Sequence, residues 1–112
     1  MVAQFGRIYL YGAGRIGQRV WTCLKLMDAA DKVKGFIVSE AEKNPEQLDG
    51  KHVFVFPEIQ KQIVEDALVI VAVHSRHHYE IALKLQTGGC KNILLIDEKI
   101  KSWIYENTDA AV

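Results

Sequence analysis

Short apolar runs along the chain alternate with segments in which apolar residues recur at every third or fourth position. Arg7 to Tyr11 is a β-branched and aromatic run that leads straight into glycines, the pattern of a buried strand meeting a tight turn. From Arg15 onward, Ile16, Val20, Cys23, Leu24 and Met27 share one face of a helix expected to end between Asp28 and Asp31. Val33 to Val38 is a second strand. The polar segment from Ser39 to Lys51, with Asn44-Pro45 and Asp49-Gly50, reads as a loop, and His52 to Phe56 as a third short strand. Pro57 suits the first position of a short helix whose apolar side is Ile59, Ile63 and Val64. Ala67 to Val73 is unbroken and aliphatic, as a central parallel strand covered on both faces requires. Ser75 is expected to cap a helix carrying Ile81, Ala82 and Leu85 inward, and Gly88-Gly89 to end it. Asn92 to Ile96 is the last strand, and a final amphipathic helix runs from about Glu98 to Tyr105.

Strands alternating with helices at this spacing predict an α/β chain with right-handed crossovers and helices on both faces of a parallel sheet. The expected architecture is a three-layer, Rossmann-like domain with about five strands in the order 3-2-1-4-5. The 112 residues make one domain. Residues 1–106 are read as the Rossmann-type domain and 107–112 as a flexible tail, a place where a longer protein could have been cut.

Composition narrows the function classes. Apolar residues make up 49% and charged residues 25%, as in ordinary globular proteins. Fourteen basic residues balance fourteen acidic ones, so there is no electrostatic footprint for nucleic acid or an anionic membrane, and neither is expected as a partner. The longest apolar runs fall far short of the roughly 20 residues of a membrane span, and a cytoplasmic location is expected. Cys23 and Cys90 have neither metal-ligand spacing nor a disulfide framework.

The chemistry concentrates at Gly12-Ala13-Gly14-Arg15-Ile16-Gly17. Gly12 allows the tight turn, Gly14 lets backbone amides approach a pyrophosphate, and Gly17 permits close helix–strand packing. The helix that follows points its unpaired amides and its positive end at the anion. Arg15 either reaches a phosphate or stays solvated. An NAD-binding domain normally presents an acidic residue at the end of the second strand, to hold a ribose hydroxyl. Here the strand ends Val38-Ser39-Glu40, so Ser39 offers a neutral hydrogen bond and Glu40 is either the carboxylate or a solvated loop residue. Lys43 is too isolated to indicate NADP.

His74, His77 and His78 follow the fourth strand, whose carboxyl end faces the glycine turn across the switch-point crevice. His74 and Ser75 are the candidates to touch a ligand there; no metal site is expected, and no catalytic residue is assigned. Trp103, Ile104 and Tyr105 are either core of the last helix or a contact surface.

The runs Ile8-Tyr9-Leu10-Tyr11-Gly12-Ala13-Gly14-Arg15-Ile16-Gly17, Gly35-Phe36-Ile37-Val38, Leu48-Asp49-Gly50-Lys51-His52-Val53 and Ala67-Leu68-Val69-Ile70-Val71-Ala72-Val73 resemble those of a bacterial module. It is the small Rossmann domain attached to glycosyltransferases and other capsule or surface-polysaccharide enzymes, and it also begins sugar acyltransferases. The resemblance implies a bound nucleotide, either an NAD-like dinucleotide or a nucleotide-sugar. It also implies a covalently linked catalytic domain as partner, and a homodimer is the other partner expected. Two other readings stand beside this one: a cofactor-binding fragment of an NAD-dependent sugar oxidoreductase, and a regulatory or interaction domain without a ligand.

Overall fold

A computed structural model of the chain describes residues 4–40, 44–60 and 66–111. Strand β1 (Arg7–Tyr11) lies at the centre of the sheet, paired in parallel with β2 (Val33–Val38) on one side and β5 (Ala67–Val71) on the other. Beyond β2 lies β4 (Lys51–Val55), and beyond β5 lies β6 (Asn92–Leu95), both parallel. These five strands follow the expected order 3-2-1-4-5. A sixth, β3 (Gln47–Leu48), pairs antiparallel with β4 at the edge, giving β3-β4-β2-β1-β5-β6.

The extra strand corrects the reading of Ser39 to Lys51 as loop throughout. Asp49 (φ 51°) and Gly50 (φ 81°) both have positive φ and join β3 to β4 through two residues. Asp-Gly is the pair that such a hairpin turn favours, because its backbone twist matches that of the flanking strands. The hairpin is also tied down. Trp21 Nε1–H donates to Asp49 Oδ2 at 2.7 Å, and Lys25 Nζ donates to the same oxygen at 2.8 Å.

Side chains alternate across each strand and make two apolar layers. Ile8, Leu10, Phe36, Leu68 and Ile70 pack under α1 (Arg15–Leu26) and α4 (Glu98–Thr108). Tyr9, Tyr11, Ile37, Val69 and Val71 pack under α2 (Phe56–Ile59) and α3 (His78–Thr87). α2 is a single turn with Pro57 at its start, as expected, and its buried Ile59 faces the sheet. Ile63 and Val64, assigned to the same helix, lie outside the described residues, as does Lys43.

Helix ends follow local chemistry. Past α1, Asp28 takes φ 61°, its N–H donates to the Lys25 carbonyl, and Ala29 N–H donates to the Leu24 carbonyl. This is a Schellman ending with aspartate where glycine is usual. Gly89 (φ 97°) closes α3 in the same way, with Cys90 N–H donating to the Leu85 carbonyl. The start of α3 differs from expectation. Ser75 opens a 3-10 turn, Ser75–His77, and the cap of that turn is His74, whose Nδ1 accepts the Arg76 N–H. Ser75 Oγ instead donates to Glu98 Oε1 at 3.3 Å.

The boundary read at Asn107 falls inside a helix. α4 continues to Thr108, and Asp109–Ala111 forms a 3-10 turn. Thr108 is buried and donates to the Ile104 carbonyl. Arg19, from α1, lies over the Tyr105 ring at 4.5 Å and donates to Thr108 Oγ1 and, at 2.6 Å, to Asp109 Oδ1. Ile104 is core and Tyr105 is covered by Arg19, so Trp103 is the exposed member of that trio.

Candidate functional site

Tyr11 pairs with Ile37 on one side and Val71 on the other, so β1 and β5 end level and β2 runs one residue further. Gly12 N–H donates to the Ile37 carbonyl and Ala72 N–H to the Tyr11 carbonyl, carrying the pairing one step past each strand end. This aligned rim is where open α/β sheets bind ligands.

Backbone geometry gives each glycine of the turn its own role. Gly12 has φ 121°, and a Cβ there would lie 2.5 Å from the Ala72 carbonyl oxygen. A Cβ on Gly17 would run into the Gly12 carbonyl oxygen, so Gly17 lets α1 start directly beneath the turn. Gly14 is different. Its φ of −86° suits any residue, and a Cβ would meet nothing within 4 Å. Its side faces open space, where a ligand can approach the backbone.

Gly14 caps α1 without a side-chain bond, and the first turn of α1 carries no acidic residue. The first amides of the helix therefore keep their donors and their partial positive charge available to an anion.

Two cavities of about 270 Å³ each flank this point. One is floored by Tyr11, Gly12, Ile37 and Val38 and edged by Ser39, His77 and Glu80. The other is bordered by Gly14, Arg15, Ile16, Ala72 and His74. Val73 borders both. Small-molecule sites occupy roughly 300–1,000 Å³, which two lobes on either side of one turn can supply.

The structure brings Gly12 and Ser39 together in one lobe and Gly14, Arg15, Ile16 and His74 in the other; Ala13 lies in the turn between them. Tyr11 Oη and Ser39 Oγ lie 2.7 Å apart, which fixes the hydroxyl at the end of β2. Arg15 is exposed and also borders a larger groove between α1 and α4, with Gln18, Arg19, Thr22 and Tyr105. Two candidates lie off the crevice. Ser75 is turned toward Glu98, and Glu40 is exposed past the end of β2, with its carbonyl bonded to the Asn44 amide and its side chain outside both lobes.

The histidines diverge. His78 is buried and donates from Nε2 to the Val73 carbonyl at 3.0 Å, a structural bond that holds α3 to the end of β5. His77 Nε2 accepts from Arg76 Nε. Among the described residues no three His, Cys, Asp or Glu side chains gather as metal ligands. Both cysteines are buried, and burial pushes their thiols up, away from the reactive thiolate.

The sequence reading set His77 beside the crevice without giving it a role and missed Glu80, which borders the same lobe from the first turn of α3. The available signal was their position, just after the strand whose carboxyl end faces the glycine turn.

No family model matches the chain, and no curated protein matches it in sequence. Among solved structures, the crystal structure of RSP, a Rex-family repressor, is similar to it with a TM-score of 0.64 at 13% identity. The alignment covers 98% of this chain and 62% of the repressor chain. At that identity the likeness is one of fold, and it agrees with the Rossmann-like α/β architecture described above. Among the described residues no helix is long and apolar enough to cross a membrane.

Proposed function

We propose that this chain is a nucleotide-binding Rossmann module that seats the pyrophosphate of an NAD-like dinucleotide, or of a nucleotide-sugar, on the turn from Gly12 to Gly17. The observation that carries this reading is Gly14. It combines open space on its Cβ side, an uncapped helix start and a place on the border of one of two lobes of similar size. Both ligand types have two bulky halves joined by a diphosphate, the shape that two lobes across one anion site accommodate. Gly12, Ala13, Gly14 and the first amides of α1 hold the phosphates; Ser39 approaches one ribose, and His74 and Arg15 border the other half.

The motif resemblance supports a place beside a glycosyl-transfer or polysaccharide enzyme, with the chemistry carried out by that enzyme. A second reading is supported by the likeness to a repressor: occupancy of the same crevice would regulate a partner.

A thermal-shift series with NAD, NADP, FAD, ADP, UDP and UDP-sugars tests the proposal, because a ligand that binds only the folded chain raises its melting temperature by mass action. Stabilisation by NAD and ADP supports the dinucleotide, and stabilisation by uridine nucleotides alone supports the nucleotide-sugar. A flat response across the series overturns nucleotide binding.

A further inference from the structure

The crevice lacks a carboxylate at the end of β2, because Val38 is buried there and Glu40 lies off both lobes. A carboxylate nevertheless borders the lobe that contains Ser39. It belongs to Glu80, in the first turn of α3. Resting on the nucleotide reading above, we infer that Glu80 replaces the β2 carboxylate and receives the ribose hydroxyls of the bound nucleotide, opposite the Tyr11–Ser39 hydroxyl pair.

An acidic residue three positions past a helix cap often bonds back to the cap's own N–H. That role is taken here. His77 N–H already donates to the His74 carbonyl at 3.0 Å, and Glu80 has no hydrogen bond or ion pair with any described residue. Among the described residues its carboxylate has no donor, and it stands on the edge of a cavity lined by Ile37, Val38 and Val73. An apolar floor suits the flat face of a base. A carboxylate beside it can accept from both hydroxyls of a vicinal diol, while repelling a phosphate placed on either one. Ser39 is held by Tyr11 Oη at 2.7 Å and completes the rim with a neutral group.

Calorimetric titration of the intact chain with ADP and UDP, each against its 2′-deoxy analogue, tests the assignment. A hydrogen bond to a charged carboxylate corresponds to roughly ten- to hundred-fold in affinity, and the ribose forms should bind tighter by that factor. Glu80→Ala should bring the ribose forms down to the level of the deoxy forms and leave the deoxy affinities unchanged. Glu80→Gln, which still accepts through its amide oxygen, should keep part of the preference and bind NADP closer to NAD. Glu80 is exposed, so both variants should melt with the unmodified chain. Equal binding of ribose and deoxy forms, or a preference that survives in Glu80→Ala, overturns the role of Glu80 while nucleotide binding stands. Failure of both diphosphates to bind overturns the nucleotide reading and this inference with it.

Discussion

Tyr11 Oη, at the last residue of β1, and Ser39 Oγ, one residue past β2, meet at 2.7 Å. The bond joins a residue of the buried layer to the rim of the crevice and orients the one hydroxyl that the end of β2 offers to a ligand. Tyr11→Phe keeps the ring and removes the bond. It should lower stability by about 1 kcal/mol, the net value of one such bond, measured as a shift in the urea midpoint. An unchanged midpoint would mean that water replaces the bond at no loss.

The three glycines of the turn should separate sharply on substitution. Gly17→Ala drives a methyl group into the Gly12 carbonyl oxygen, and overpacking of this kind destabilises by roughly 1–3 kcal/mol or more. Gly14→Ala meets nothing and should melt within a degree or two of the unmodified chain. Similar melting temperatures for the two variants would show that the turn does not close as described.

Asp28 holds the left-handed position that ends α1, a conformation that disfavours a Cβ. Asp28→Gly should therefore stabilise the chain by about 0.5–1 kcal/mol, read from chemical denaturation. A loss of stability would show that the aspartate side chain contributes more than its backbone strain removes.

Acid should loosen the hairpin between β3 and β4. The Lys25 ammonium, then the Trp21 indole N–H, hold the Asp49 carboxyl below its usual range. Its contribution to stability is present above the unfolded-state value, near pH 4, and is lost as pH falls through the lower folded value. Asp66, bonded by Arg7, and Glu98, bonded by Lys101, titrate in the same direction. Asp49→Asn should flatten part of the decline in stability as pH falls below about 4, measured by urea unfolding at a series of acidic pH values. An acid limb identical to that of the unmodified chain would remove Asp49 from the account.

Features set by neighbours in sequence were legible before the structure. The five parallel strands followed from period and length, because buried strands such as Ala67–Val71 need unbroken apolar runs, and α1 followed from its apolar stripe. The features that were missed depend on distant contacts. β3 is two residues long, too short to show a period, and exists because Asp49-Gly50 turns back and Trp21 holds it. The end of α4 is ordered by Arg19, 90 positions before Asp109. Ser75 looked like a cap, but the imidazole of His74 accepts the bond instead. Within the site, the glycine turn is local and was readable. Glu80 was not, because the carboxylate that borders the Ser39 lobe comes from the helix after β5 rather than from the end of β2.

Titration of NAD and of a UDP-sugar into the unmodified chain and into Gly14→Val tests the central claim most directly. Valine is compatible with the extended backbone at this position and fills the open space beside the first amides of α1. Nucleotide binding on this turn predicts that at least one ligand binds the unmodified chain and loses at least tenfold in affinity in Gly14→Val, about 1.4 kcal/mol, with the melting temperature preserved. Equal affinity for the two proteins would contradict it.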